Sequence, residues 1–457
     1  MNDKRDGWTW KSADSEAETE VPPRTNRPWV VPRRTPAESA RATAAWFRAK
    51  WIKLTTVLVV LALAIGGWQT YTYLTRYHEQ MSGPHGDFPA ALGSSAPLRP
   101  AHSTRFSATP EWVSGGLSLY KDMSGRGLTA RGLRTDKSYW HYARKDTELL
   151  TATASEDTAV LWFGDGVVVG VDLRSGKPRW HVKVPGETDR NESRSWYTEG
   201  TVLLGRPDSV IGLSVRDGER LWSAPPPKGC RSWDDRAPIY LKDVLAFDAV
   251  RCSQGSERDS TLFGLGRDTG RIRWHITDPV TGYGRLDDHT LAALTVRSSL
   301  VVTDVSDDRP RSRSTQLSNE VALRGMGDDT VLLDTDDSTS LMARRVNSDG
   351  SSKVIWTRKA DGGRQFGNPG IADGRVYVVQ SRAPVDARRK HLPGDGRLLV
   401  LDSHSGRELH RSPLPESLFT EDDFWTQSPA IRGVGSGVVL IGWNDIALSS
   451  TELALFD

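Results

Sequence analysis

The chain has little cysteine and almost no excess of charge of either sign. Two cysteines, Cys230 and Cys252, serve all 457 residues, and no histidine or third cysteine is near them, which argues against a metal site. The formal net charge is only +2, so the composition gives no electrostatic reason to expect nucleic-acid binding. The sequence also lacks a nucleophile elbow, a His-Glu-x-x-His motif and a glycine-rich phosphate loop, so no common catalytic motif points to an enzyme.

The dominant pattern is a short phrase that recurs along the chain. Its clearest copy, VVVGVDLRSGKPRWHVKVP at residues 167–185, is typical of two strands joined by a tight turn. Asp172, Gly176 and Trp180 follow one another with three residues between each. Gly176 can adopt the positive φ that the turn needs, and the Trp180 ring on the return strand can fill a gap between neighbouring sheets.

Further copies of the phrase occur at a nearly regular period. The residues at the tryptophan position of the seven copies are, in chain order, Trp140, Trp180, Trp222, Trp274, Ser312, Trp356 and His410. These residues are 38 to 54 positions apart, close to the period of a β-propeller. The tryptophans and His410 are therefore expected to pack between blades. A β-sandwich is the alternative, but it has no reason to repeat a turn followed by a tryptophan.

The phrase resembles the repeat of the pyrroloquinoline-quinone-type propellers over roughly residues 105–457. The resemblance implies an all-β propeller of four-stranded antiparallel blades. This segment has 353 residues, or 44 per blade for eight blades and 50 for seven, so eight blades are expected and seven are the alternative. The same repeat occurs in quinone-dependent dehydrogenases, in non-enzymatic outer-membrane assembly lipoproteins and in membrane-anchored proteins of unknown role.

The resemblance specifies a fold more closely than a chemistry. Quinone-dependent dehydrogenases carry adjacent cysteines that form a vicinal bridge, an acidic calcium site and a general-base aspartate. Cys230 and Cys252 are not adjacent, and no motif here matches the calcium ligands or the base. We therefore expect a propeller without a cofactor that binds a protein or polymer ligand, or acts as a scaffold. The alternatives are an oxidoreductase that uses pyrroloquinoline quinone with calcium, and a sensor that reports to a cytoplasmic tail.

Four segments precede the repeats. Residues 1–34 are polar and contain prolines, which predicts a disordered cytoplasmic tail. Residues 35–53 open with a capping box, Thr35-Pro36-Ala37-Glu38, which predicts a basic, amphipathic juxtamembrane helix. Residues 54–75 contain no charged side chain and predict a single transmembrane helix. Residues 76–104 are rich in Pro, Gly and Ser and are interpreted as a stalk.

Basic residues before the uncharged run predict the orientation. From Arg24 to Lys53 there are eight Lys or Arg and one acid, Glu38, and the positive-inside rule keeps such a segment in the cytoplasm. The propeller is therefore expected outside the cell membrane, anchored in the lipid bilayer through one helix. A buried core helix or a cleaved signal is the alternative to the span, and a lipid-surface or nucleic-acid patch is the alternative use of the basic run.

Outside the membrane a Cys230–Cys252 disulfide is permitted. Residues 233–241 and 244–251 are typical of antiparallel strands, and the midpoint between the two cysteines falls on the turn that joins them. The hairpin would therefore bring the cysteines opposite each other. Two free buried thiols are the alternative.

A long loop and three histidines remain as candidate functional features. The segment 382–396 exceeds a usual hairpin loop, and it is a candidate binding loop for an anionic polymer or a lipid headgroup, with solvated charge as the alternative. Its charged residues are Arg388, Arg389, Lys390 and His391. Three histidines follow repeat tryptophans and are expected to pack within the repeat rather than bind a metal: His141, His181 and His275.

The two ends of the repeat region suggest how the propeller closes. Residues 453–457 resemble the first half of one more copy of the phrase, which stops at Asp457. We expect residues 105–112, with Trp112 in the tryptophan place, to add the missing outer strand. The two termini would then share one blade and leave no open edge.

Overall fold

The computed structural model describes residues 51, 55, 59 and 78–457, except 107, 186–192, 235, 251, 253–259, 277–279, 307–309, 318–320, 336–337, 348–350, 383–395, 420–428 and 445–448. The chain divides into two units, Met1–Arg76 and Tyr77–Asp457. The predicted tail, juxtamembrane helix and transmembrane helix lie almost entirely outside the described residues. Within the described part, no helix combines the length and the apolar character needed to cross a membrane.

The second unit consists almost entirely of short strands. The first nineteen are β1 (Glu79–Ser82), β2 (His102–Arg105), β3 (Trp112–Ser114), β4 (Leu117–Lys121), β5 (Gly127–Gly132), β6 (Ser138–Arg144), β7 (Leu149–Ala154), β8 (Thr158–Phe163), β9 (Val167–Asp172), β10 (Pro178–Lys183), β11 (Arg194–Thr198), β12 (Thr201–Arg206), β13 (Ser209–Ser214), β14 (Arg220–Ala224), β15 (Ser232–Trp233), β16 (Ile239–Tyr240), β17 (Val244–Val250), β18 (Ser260–Gly266) and β19 (Ile272–Ile276).

The remaining strands follow the same pattern. They are β20 (Val280–Arg285), β21 (Thr290–Thr295), β22 (Ser299–Asp304), β23 (Arg311–Gln316), β24 (Val321–Gly327), β25 (Thr330–Thr335), β26 (Ser340–Val346), β27 (Ser352–Lys359), β28 (Arg364–Phe366), β29 (Gly370–Ala372), β30 (Arg375–Arg382), β31 (Arg397–Asp402), β32 (Glu408–Pro413), β33 (Ala430–Gly435), β34 (Val438–Asn444) and β35 (Ser449–Phe456). One 3-10 turn, Glu416–Phe419, follows β32.

In the described part of the chain these strands form eight separate antiparallel sheets. Blade 1 is β3–β6 with β1 added, and blades 2 and 3 are β7–β10 and β11–β14. Blades 4, 5, 6 and 7 are β15–β19, β20–β23, β24–β27 and β28–β32, and blade 8 is β33–β35 with β2. The predicted eight-bladed, all-β propeller of four-stranded blades is confirmed, and the seven-bladed alternative is excluded.

The recurring phrase forms the third and fourth strands of a blade. In blade 2 the Asp172 carboxylate accepts a hydrogen bond from the Ser175 backbone N–H at 2.8 Å, and Gly176 has a φ of 67°. This Asx-type turn reverses the chain between β9 and β10. The register then shifts between Pro178 and Trp180, which is a β-bulge that re-aims the following side chain.

Trp180 packs between two glycines, one in its own sheet and one in the next. A Cβ added to Gly170 of β9 would lie 2.2 Å from Cε2 of Trp180, and one added to Gly218 of blade 3 would lie 2.5 Å from Cε3. The indole Nε1 donates a hydrogen bond to the Val215 carbonyl of blade 3 at 2.8 Å. Only residues without a side chain allow both backbones to approach the ring this closely.

Three other repeat tryptophans make the same bond to the following blade. The indole nitrogens donate to backbone carbonyls in the pairs Trp140–Leu173, Trp222–Arg267 and Trp356–Ser403. Trp274 is buried against Gly264, but its Nε1 has no partner among the described residues. Blade 5 also departs from the pattern with Ser312, and blade 7 with the half-buried His410.

Blade 8 closes the propeller, although not with the predicted segment. β2 pairs with β35, so that His102 lies opposite Phe456 and Arg105 opposite Leu453. The shared blade is confirmed, but the expectation that residues 105–112 form its outer strand is wrong. Trp112 instead opens β3, which pairs with β4 in blade 1. The residues between Arg105 and Trp112 are needed to cross from β2, at the outer edge of blade 8, to β3, the inner strand of blade 1.

The interpretation of residues 76–104 as a stalk is also corrected. β1 pairs with β6 on the outer edge of blade 1. Residues 83–101, here called the strap, then lie along the propeller before β2 begins. The Phe88 ring packs edge-on against Tyr139 with centroids 5.7 Å apart, and Tyr377 donates to the Pro97 carbonyl at 2.9 Å. Prolines suit such a segment because it forms no ladder that would require their missing N–H groups.

The strap makes the two faces of the propeller different. It contacts turns that join first to second strands, at Gly116, Asp373 and Gly437, and a third-to-fourth turn at Arg174. In an up-and-down blade all these turns lie on one face, here called the strap face. The opposite face carries the connections between blades and the second-to-third turns, and is here called the open face.

Replacing Gly218 by alanine tests the packing between blades. Gly218 has a φ of 75°, and Gly200, with a φ of 73° and nothing within 4 Å of an added Cβ, is a matched control. Both variants should lose roughly 1 kcal/mol from the left-handed backbone. Gly218→Ala should lose a further 1–3 kcal/mol or so because the methyl group displaces the Trp180 ring. Urea denaturation measures both losses, and equal losses would show that the Trp–Gly contact does not stabilise the fold.

Candidate functional site

The two cysteines form the predicted disulfide. Cys230 and Cys252 are bridged, with a sequence separation of 22 residues. The pairing of Ser232 with Val250 and of Trp233 with Ala249 brings the cysteines opposite each other, as the hairpin interpretation required. The bridge lies on the open face, since Cys230 comes two residues before the inner strand β15 of blade 4 and Cys252 comes two residues after the second strand β17. It restricts the unfolded chain and so stabilises this hairpin.

The predicted binding loop lies outside the described residues, and so do its charged members Arg388, Arg389, Lys390 and His391. Its described flanks are Arg382, the last residue of β30, and Arg397, the first residue of β31. Both flanks are on the open face of blade 7. The neighbourhood of Arg397 is therefore the part of this site that the structure describes.

Arg397 belongs to a chain of alternating charges between blades 6 and 7. Nη2 of Arg397 contacts Asp361 Oδ2. Nη2 of Arg411 contacts the same oxygen at 3.5 Å. Arg411 also donates to Glu408 at 2.7–2.8 Å. We call the set of Arg358, Arg364, Arg397, Arg411, Asp361 and Glu408 the arginine network.

The other two arginines extend the network to both blades. Arg358, on the outer strand of blade 6, donates to Glu408 of blade 7. Arg364 donates from Nη1 to the backbone carbonyl of Asp361 at 3.3 Å. Behind them, Arg397 Nε donates at 2.7 Å to Gln380, which is fully buried. The buried amide fixes one side of Arg397, while Asp361 remains about half exposed at 49%.

The network holds four guanidinium groups and two carboxylates. Hydrogen bonds from Arg411, which outweigh the opposing effect of partial burial, and further bonds from Arg358 lower the pKa of Glu408. Partial burial and the charges of Arg411 and Arg364 lower the pKa of Arg397. The ion pairs join three guanidinium groups, those of Arg358, Arg397 and Arg411, to only two carboxylates, so positive charge exceeds negative charge among them. The arrangement can attract and hold an oxyanion.

A second cluster of titratable groups lies between blades 4 and 5. Arg236 Nη2 is 2.7 Å from the Asp248 carboxylate, whose side chain has no exposed surface. Burial raises the pKa of Asp248 to about 7, because the attraction of Arg236 only partly offsets the loss of solvation. Burial and the charge of Asp248 also raise the pKa of Tyr283. Since water does not reach Asp248, we interpret this cluster as a structural contact between strands.

The three histidines of the repeat have separate local contacts. His141 is 3.1 Å from Asp122, and His181 contacts Glu79 of β1. The His275 ring stacks on Phe263 with centroids 5.7 Å apart. They lie in different blades, and the described residues contain no group of three metal-ligating side chains. The disulfide joins residues 22 positions apart, so it is not a vicinal bridge.

No sequence pattern indicated the arginine network, because Arg358 and Glu408 are 50 positions apart and no motif relates them. The only signal was the excess length of the adjacent loop.

Part of the sequence matches a known protein family. A sequence model of the family described as outer membrane protein assembly factor BamB matches residues 102–276. Over these residues the sequence is similar to the pyrroloquinoline-quinone-type propeller repeat. The matched range runs from β2 to β19, which is the closing strand and the first four blades. No curated protein matches the chain.

Similar solved structures include BamB from Moraxella catarrhalis, with 14% identity and a TM-score of 0.48 over 78% of this chain and 99% of that chain. The computationally designed protein Ika8 has 14% identity and a TM-score of 0.47 over 81% and 100%. The quinohemoprotein alcohol dehydrogenase from Comamonas testosteroni has 12% identity and a TM-score of 0.46 over 81% and 78%. These likenesses carry no argument about ligand or activity.

The stability of an Asp248→Asn variant should depend on pH differently from that of the wild type. With a folded pKa of about 7 and an ordinary unfolded value, the acid binds more protons when folded, so wild-type stability should fall as pH rises from about 4 to 7. The slope attributable to Asp248 should be on the order of 1 kcal/mol per pH unit and absent in the variant. Thermal melting between pH 4 and 8 measures it.

Asp208→Asn is the control for this pH series, because the Asp208 side chain is 75% exposed. Its profile should follow the wild type. An Asp248→Asn profile parallel to the wild type would show that Asp248 stays ionised beside Arg236 throughout the range.

Proposed function

We propose that the chain is a membrane-anchored, extracytoplasmic propeller that binds a protein ligand on its open face and acts as a scaffold rather than as an enzyme. The observation that supports this proposal most is the strap, which occupies the strap face. The open face then carries the disulfide, Asp361, and Arg382 and Arg397 at the ends of the second and third strands of blade 7. The matching family model, described as an outer membrane protein assembly factor, supports a binding role.

The uncharged run at residues 54–75 and the basic residues before it support the anchor and its orientation. The Cys230–Cys252 bridge is compatible with an oxidising compartment. A propeller outside the membrane would meet its ligand without help from the cytoplasmic segment, so we assign the tail no signalling role in this proposal.

Photo-crosslinking in cells can test which face binds. A photoreactive residue at Asp208 or Arg382, both exposed on the open face, should give discrete protein adducts. The same residue at Lys177 or Arg407, both exposed on the strap face, is the matched control and should give none. Adducts only from the strap face would contradict the proposed surface. Dye-linked substrate oxidation by the purified chain after addition of calcium and quinone would contradict the scaffold role.

Protease accessibility can test the topology. Added protease should digest the propeller of intact cells, or of spheroplasts where an outer layer blocks access, and should leave a tag on residue 1 protected. The reason is the excess of basic residues between Arg24 and Lys53 on the protected side. Lysed cells, in which both ends are digested, provide the control. Digestion of only the first 50 or so residues would reverse the orientation.

A further inference from the structure

Two arginines of the arginine network converge on one exposed carboxylate. Arg397 and Arg411 come from β31 and β32 of blade 7, and Asp361 lies in the short connection that leads from blade 6 into blade 7. Gly362 and Gly363 follow it with φ values of 60° and 71°, and a Cβ added to Gly363 would meet nothing within 4 Å. The carboxylate is therefore carried by a turn that has open space beside it.

The charges around this carboxylate do not balance. Arginine does not lose its proton in proteins, so the four guanidinium groups keep their charge at any physiological pH. Among the described residues, three of these groups, those of Arg358, Arg397 and Arg411, are opposed only by Asp361 and Glu408. Glu408 is already shared by Arg358 and Arg411. An anion from solution would reduce this surplus, and guanidinium forks bind phosphate and carboxylate groups with two parallel hydrogen bonds.

The two sides of the contact differ in how firmly they are held. Arg397 is largely buried, with 16% of its side chain exposed, and Gln380 accepts from its Nε. Asp361 is 49% exposed, and ion pairs of exposed carboxylates are weak because water competes for both partners. Exchange of the carboxylate for another oxyanion therefore leaves the arginine in place.

We propose that the arginine network is an oxyanion-binding site, in which a phosphate or carboxylate group of a ligand displaces the Asp361 carboxylate from Arg397 and Arg411. Asp361 acts as an internal substitute that occupies the site when no ligand is present. The site depends neither on membrane anchoring nor on a protein partner, so it can fail or succeed independently of the proposed function.

The experiment measures binding of inorganic phosphate to the purified full chain in neutral detergent micelles, by isothermal titration at constant ionic strength. Asp361→Asn should bind phosphate at least about fivefold more tightly than the wild type, because the arginines then have no internal competitor. Arg397→Gln should weaken binding by tenfold or so, since the loss of a charge-assisted fork removes the main contact. A gain of affinity cannot come from misfolding, so the aspartate variant remains informative if the arginine variant unfolds.

Asp329→Asn is the matched control. Asp329 is 48% exposed and pairs with Arg345 at 3.2 Å, but it lies on the strap face. It should leave phosphate affinity unchanged, whereas an equal gain in both variants would reduce the effect to general electrostatics and overturn the proposal. Measurable phosphate binding that is unchanged or weaker in Asp361→Asn would also overturn the proposal, and so would the absence of binding by any variant to phosphate, citrate and phosphatidylglycerol alike.

Two further arms identify the source of the oxyanion. Citrate in place of phosphate tests a soluble carboxylate, and micelles doped with phosphatidylglycerol, compared with phosphatidylcholine, test a lipid phosphate. A gain on Asp361→Asn with citrate supports a soluble acidic ligand, and a gain with phosphatidylglycerol but with neither soluble anion supports a lipid headgroup. Equal signals from the two lipids, without binding of phosphate or citrate, would overturn the site.

Discussion

Close contact between a tryptophan of one blade and a glycine of the next is the constraint on which this propeller depends. The indole fills the space between two twisted sheets and places its N–H on a carbonyl of the following blade, as Trp180 does with Val215. The glycine serves two purposes there, since the turn needs its positive φ and the ring needs the space that a side chain would take. Each such contact connects only neighbouring blades, so the sheets are held in sequence around the ring.

This local constraint explains why the fold could be predicted from the sequence. The turn, its glycine and the tryptophan of one phrase lie within a dozen residues, so most blades can be recognised from a single short segment, and the period predicts the number of blades. The Cys230–Cys252 bridge could be predicted for the same reason, because its hairpin is local. Register across the closing blade could not, since β2 (HSTR) has neither apolar alternation nor turn residues that would identify it.

The strap and the arginine network are two features that sequence patterns could not predict. Proline, glycine and serine have the same composition in a flexible stalk and in a segment fixed to a surface by bonds such as Tyr377–Pro97. The network joins residues of two neighbouring blades. Its members, such as Arg358 and Glu408, are therefore separated in the sequence by about the length of a blade and not by the spacing of a motif. The network can be recognised only in the folded propeller, where Arg397 and Arg411 contact the same carboxylate oxygen of Asp361. The arginine network is therefore specified by contacts between repeats, while the fold is specified within them.

The shared eighth blade also determines when, during synthesis of the chain, the propeller can close. His102 pairs with Phe456, so a ribosome must add 354 further residues (456 − 102) before the partner of β2 exists. Closing so long a loop is slow, because its entropy must be lost before the new contacts form. Throughout that interval the strand β2 lacks its partner, and one sheet face of blade 1 and one of the latest blade made have no neighbouring blade packed against them. The ring can therefore close only after β35 has been synthesised, and the preceding blades must stay apart from other nascent chains until then.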